Sequence, residues 1–144
     1  MGLFDAIAIA GSGLAAERIR MDVTAENLAN ADTTRAANGL PYKRQIVELS
    51  AVHDTSFSGA LENAEGTPPG GVEVTGIASD DTPGQQVYDP GNPEANAKGY
   101  VTMPNVSTVA EMSGLISEQQ SYESDVTAMQ AAKSMFSSTL EVLK

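Results

Sequence analysis

The stretch "MSGLISEQQSYESDVTAMQAAKSMFSSTLEVL", Met112–Leu143, decides the architecture. One column of it, Leu115, Tyr122, Met129, Phe136 and Leu143, recurs every seven residues. A second, Met112, Gln119, Val126, Lys133 and Leu140, keeps the same step. Paired apolar columns at heptad spacing predict a long helix with a coiled-coil seam, in which Gln119 and Lys133 set the register. No proline follows Pro104, so nothing in the backbone chemistry breaks this helix.

A weaker stripe lies at the other end of the chain. Leu3, Ile7, Ala10, Leu14, Met21 and Leu28 follow a 3.5-residue period, with Glu17 and Thr24 interrupting it. Gly11 and Gly13 each cost roughly 1 kcal/mol against alanine in a helix interior. Ser12 between them reads as an N-cap from which the helix starts in earnest. Small residues flank both stripes: Ala15, Ala16, Ala25, Ala29 and Ala31 in the first, Ala128, Ala131 and Ala132 in the last. Helices with small side chains on several faces accept several close neighbours, so packing against other chains is expected.

Between the helices, about residues 36–104, prolines and glycines bound four β-like runs: Tyr42–Leu49, Gly71–Ile77, Gln85–Asp89 and Gly99–Met103. They predict three or four strands in a small antiparallel unit, with residues 53–71 as a mobile loop. The expected fold is α+β: N- and C-terminal helices (1–35 and 105–144) paired as an antiparallel coiled coil, with a β-rich middle (36–104).

Composition closes several routes. There is no cysteine, which removes disulfides, thiol catalysis and thiolate metal sites. The net charge is −11, and nine acids stand between Gln45 and Ala97 without one Lys or Arg, a surface that repels phosphate backbones. Nucleic acid is not an expected partner. No apolar run reaches the roughly 18 residues of a membrane span. The N-terminus has a short apolar piece without a basic leader, so a cleaved signal peptide is not expected.

Catalytic chemistry finds little support. His53 is the only histidine, with no nucleophile signature to serve. Asp80 and Asp81 are adjacent, which in a strand points them to opposite faces. Asp89, Asn92, Glu94 and Asn96 share one loop but do not follow a calcium-loop pattern, and a rigid turn is the better reading. No enzyme activity, cofactor or metal is expected.

Three segments carry a resemblance: "SGLAAERIRMDVTAENLANADTTRAANGLPYKRQ" (Ser12–Gln45), "VYDPGNPEANAKGYVTMPNV" (Val87–Val106) and "EMSGLISEQQSYESDVTAMQAAKSM" (Glu111–Met135). Together they resemble the proximal-rod proteins of the bacterial flagellar basal body, within the wider family of rod, hook and hook-associated proteins. The first segment marks only the wider family; the second is the more specific. The resemblance implies a structural subunit that transmits torque and lines the export channel, placed in the rod where it crosses the periplasm. It implies secretion through the flagellar type III apparatus without a cleaved leader. Implied partners are further copies of the chain, other proximal and distal rod proteins, the rod–MS ring junction protein and the export apparatus. The competing expectation is a binding module displayed on a two-helix stalk. A calcium-dependent hydrolase is a remote third.

On the rod reading, the polar stretch "NLANADTTR" (Asn27–Arg35) lies where one helix end meets several subunits. Asn27 and Asn30 offer donors and acceptors there, and Asp32, Thr33 and Thr34 stop the helix. The expected subunit interface comprises Leu14, Met21, Asn27, Leu28, Asn30, Thr33, Met112, Leu115, Tyr122, Asp125, Val126, Met129, Phe136, Leu140 and Leu143. One departure stands out: the wider family often carries "YEAN" where this chain has "YESD" (Tyr122–Asp125). An ionised Asp125 only accepts hydrogen bonds, whereas asparagine also donates.

Overall fold

The computed structural model describes residues 3–52 and 70–142. His53, Leu143 and nearly all of the expected 53–71 loop lie outside them. Two long helices enclose four strands in chain order: α1 (Leu3–Ala29), β1 (Gln45–Ala51), β2 (Val72–Ser79), β3 (Gln86–Tyr88), β4 (Tyr100–Thr102) and α2 (Thr108–Val142). At 1.5 Å per residue α1 is about 40 Å long and α2 about 52 Å. α1 packs along α2 and also meets β1 and β2.

α2 starts on an N-cap: Ser107 Oγ accepts the Ala110 N–H at 3.4 Å, and the Ser107 carbonyl accepts the Glu111 N–H at 2.9 Å. Its outer hydroxyls fold back onto the preceding turn, as Thr127 to the Glu123 carbonyl and Thr139 to the Met135 carbonyl. α1 ends where Asn30 turns on itself, donating from Nδ2 to the Glu26 carbonyl while its Oδ1 accepts from Thr33 Oγ1.

Ser12 is not an N-cap. α1 is already helical from Leu3, and Ser12 Oγ donates to the Ile9 carbonyl at 2.7 Å within it. Tertiary contacts at the two flanking glycines outweigh their helical cost, as described below.

All four β-like runs form strands, but they make two separate ribbons and not one unit. β1 and β2 make one antiparallel ribbon, with Thr75 of β2 bulged where the register shifts opposite Glu48 and Leu49. β3 and β4 make a second, three pairs long. There Tyr88 and Tyr100 face each other edge to face, ring centres 5.3 Å apart.

The interior is built from small side chains. Among the described residues the buried apolar ones include Ala10, Ala16, Val23, Ala31, Val101 and Ala132, while Thr24, Asn27, Glu111 and Glu118 are buried polar ones. Large apolar groups stand outside: Val109 is 78% exposed, Ile116 59%, Met112 53% and Leu140 49%.

Candidate functional site

The face that α2 turns to α1 is polar at heptad spacing. Asn27 Nδ2 donates to Glu111 Oε2 at 3.3 Å. One heptad away, the Arg20 guanidinium lies 3.6 Å from Glu118 Oε1, which also accepts from Thr24 Oγ1 at 3.1 Å. One heptad further, a side chain at Gly13 would place its Cβ 2.6 Å from Asp125 Oδ2. Glu111, Glu118 and Asp125 thus meet Asn27, Arg20 and Gly13 in turn, which fixes the helices as antiparallel. These rungs are about 10.5 Å apart.

Near the Asn27 rung the first ribbon joins the helices. Asn27 is 1% exposed and fully used within the chain. Its Nδ2 donates to the Gln45 carbonyl at 2.8 Å, and its Oδ1 accepts from the Gln45 N–H at 2.8 Å and from the Tyr42 hydroxyl at 2.9 Å. Arg44, next in the chain, donates through Nε to Glu111 Oε1 at 2.6 Å. The Arg44 N–H goes to Asn105 Oδ1, and Asn105 Nδ2 to the Asp80 carbonyl. Burial, then the charges of Glu26 and Glu111, raises the Tyr42 hydroxyl above its ordinary pKa of 10.0.

A second anchor sits at the glycine–serine–glycine turn of α1. Gly11 lies against Met129 and Gly13 against Asp125, so these two glycines admit α2. Ser12 faces the ribbon, its Oγ accepting the Val72 N–H at 3.1 Å. Gly71 there has φ +136°, and a Cβ on it would lie 2.5 Å from Ser12 Oγ, so both backbone and space require glycine.

This geometry revises the expected seam by one residue in each helix. Of the anticipated columns on α2, Leu115, Tyr122, Met129 and Phe136 are half-buried, with Met129 in contact with α1. The second column is Glu111, Glu118, Asp125 and Ala132, not Met112, Gln119, Val126, Lys133 and Leu140. Met112, Gln119, Lys133 and Leu140 are exposed and Val126 is half-buried. On α1, Ala10 and Thr24 are buried as placed, but Gly13, Arg20 and Asn27 make the contacts that the stripe assigned to Leu14, Met21 and Leu28. Leu14, Met21, Leu28, Asn30, Thr33 and Asp125 are half-buried in the chain. Sequence reasoning missed Arg44, Gln45, Asn105, Glu111 and Glu118. A signal existed: acids at 111, 118 and 125 share one heptad position.

Elsewhere polar groups are spent on turns. Asp89, Asn92 and Asn96 accept backbone N–H groups within their own loop, and Glu94 pairs with Arg35 at 2.8 Å. Asp80 Oδ1 accepts from the Thr82 hydroxyl and N–H, which lowers its carboxyl below the ordinary range. Among the described residues no group of three or more His, Asp or Glu could hold a metal ion, and no helix is long and apolar enough to cross a membrane.

Comparison with known proteins gives a consistent result. Residues 7–36 match the family model "Flagella basal body rod protein", and residues 97–142 match "Flagellar basal body rod FlgEFG protein C-terminal". The flagellar basal-body rod protein FlgC of Bacillus subtilis is 45% identical over 151 residues, covering 100% of both chains. That of Borreliella burgdorferi is 40% identical over 100% of this chain and 99% of its own. That of Salmonella typhimurium is 39% identical over 97% of each. End to end likeness at this level, with the helices at both ends matched, places the chain in the FlgC family of flagellar basal-body rod proteins.

Proposed function

We propose that the chain is a subunit of the proximal rod whose two helices form the inner tube around the export channel. As a member of the FlgC family it is a structural rod component of the basal body, not an enzyme, and it assembles with other rod components. In the proposed arrangement residues 1–35 and 105–144 build the tube and residues 36–104 project outward. Neighbours are further copies of the chain, other proximal and distal rod proteins and the rod–MS ring junction protein. The subunit reaches the periplasm through the flagellar type III apparatus without a cleaved leader.

The observation that carries this reading is the inversion of α2: large apolar groups stand in solvent at Val109, Met112, Ile116 and Leu140 while its buried face carries acids. An exposed apolar strip of this kind marks an interaction surface. Repetition of such contacts along a helical assembly transmits torque through many helix faces in parallel. Of the expected interface residues, those with open surface supply contacts directly. Asn27 acts through the junction it holds in shape, and Asp125, half-buried beside Gly13, awaits a basic group from a neighbour. No observation favours the stalk-borne binding module.

The chain has no cysteine, so a cysteine introduced at Met112 or Leu140 is unique. Each variant, labelled on that thiol with a photo-activated crosslinker, is expected to crosslink to a neighbouring rod subunit in purified basal bodies. Normally assembled rods with no crosslink from either position would overturn the tube arrangement. Asp125→Asn, if it left assembly and motility unchanged, would remove the proposed basic partner.

A further inference from the structure

We infer that the junction of α1, α2 and β1 is a binding site for ordered water, centred on Glu118. Glu118 is 6% exposed, and its two oxygens are treated differently. Oε1 faces Thr24 and Arg20, whereas Oε2 is buried without a hydrogen-bond partner among the described residues. A buried carboxylate oxygen without a donor is strongly disfavoured, so the site calls for a further donor.

The space for one is present. A cleft of about 110 Å³ is lined by Arg20, Thr24, Asn27, Arg44, Glu111 and Glu118, among others. At roughly 30 Å³ each, it has room for about three waters. Its charges select the guest. Two guanidiniums and two carboxylates line it, so the formal sum is zero. A cation would meet Arg20 and Arg44, and an anion would meet Glu111 and Glu118. A small neutral molecule that both donates and accepts suits the polar walls of both signs, and water is that molecule. The joint between the helix pair and the first ribbon is therefore hydrated, not dry.

The test is an experimental structure of the full chain, alone or in the rod, at better than about 2 Å. The expected result is a density peak within about 3.2 Å of Glu118 Oε2, with at least one further protein polar atom in range. A vacant cleft would overturn the inference. So would a peak at about 2.3–2.6 Å from several oxygens, the spacing of a bound calcium-like cation, or a Glu118 turned to bind Arg20 through both oxygens. Denaturant unfolding of Glu118→Gln gives an independent sign. With water on Oε2, losing the charge weakens satisfied bonds, and the folding equilibrium constant falls roughly tenfold. In a dry site the same change relieves an orphaned charge, and a rise in that constant would overturn the inference.

Discussion

Along α2, the strip that holds Met112 and Leu140 and the strip that holds Glu111 and Glu118 lie one residue apart in sequence. The first is apolar and exposed at its ends; the second is acidic and buried at Glu111 and Glu118. Burial alone would favour the reverse order, because it rewards carbon and penalises charge. The difference teaches that the two strips serve different partners. The acidic strip meets groups of its own chain that fit only at one register: Asn27, Arg20 with Thr24, and Gly13. On the proposed tube arrangement, the apolar strip is kept for surfaces that the single chain does not contain.

Five variants, the last a pair of substitutions, probe this contrast, the first at the best satisfied group. Asn27→Asp keeps the shape but removes the donors to Gln45 and Glu111, and sets a carboxylate against buried Glu111. It is expected to cost about 4 kcal/mol in urea unfolding at pH 7, as for an uncompensated buried charge. A loss under about 1 kcal/mol would break the idea that the polar strip fixes the pair. Gly13→Leu drives a side chain into Asp125 and is expected to cost about 3 kcal/mol. Arg44→Met leaves Glu111 with Asn27 alone; Arg44 is 36% exposed, so the expected loss is discounted to about 2 kcal/mol.

Tyr42→Phe deletes one bond to Asn27, for about 1 kcal/mol. It also carries a pH signature. The Tyr42 hydroxyl titrates higher in the folded chain than its ordinary 10.0, so the folded state holds that proton more tightly. Its contribution is complete below pH 10 and is lost as pH rises through the raised value. Urea midpoints of the parent chain should fall across that window more steeply than those of Tyr42→Phe. Smallest in folding, and sharpest for the comparison, is the pair Met112→Ser and Ile116→Ser. Both side chains are more than half exposed, so chain stability should stay within about 0.5 kcal/mol. Rod assembly, scored by motility and by recovery in basal bodies, should nonetheless be lost.

The same contrast explains what was legible in the sequence. Heptad repetition located both helices and one true column of each, because Leu115, Tyr122 and Met129 obey the usual rule that apolar groups face inward. The second column was misplaced by one residue. Met112 and Leu140 are the more apolar choice, and no single-chain argument would bury Glu118 in their stead. Ser12 failed for a related reason. A hydroxyl between glycines has the local chemistry of a helix start, and only contacts with Met129, Asp125 and Val72 reveal a docking point. The strands were legible from their turn-bounded runs. Their division into two ribbons was not, because each ribbon is placed by groups distant in sequence, such as Asn105 to Asp80 and Arg35 to Glu94.

Arg44 and Gln45 are consecutive residues, yet one grips α2 through Glu111 and the other grips α1 through Asn27. Neighbouring residues at the start of a strand thus hold separate helices. A pull on the ribbon does not open one helix from its end, bond after bond, as tape is peeled. It loads both grips at once, so the bonds to α1 and the bond to α2 share the load and the ribbon comes free only when both have broken.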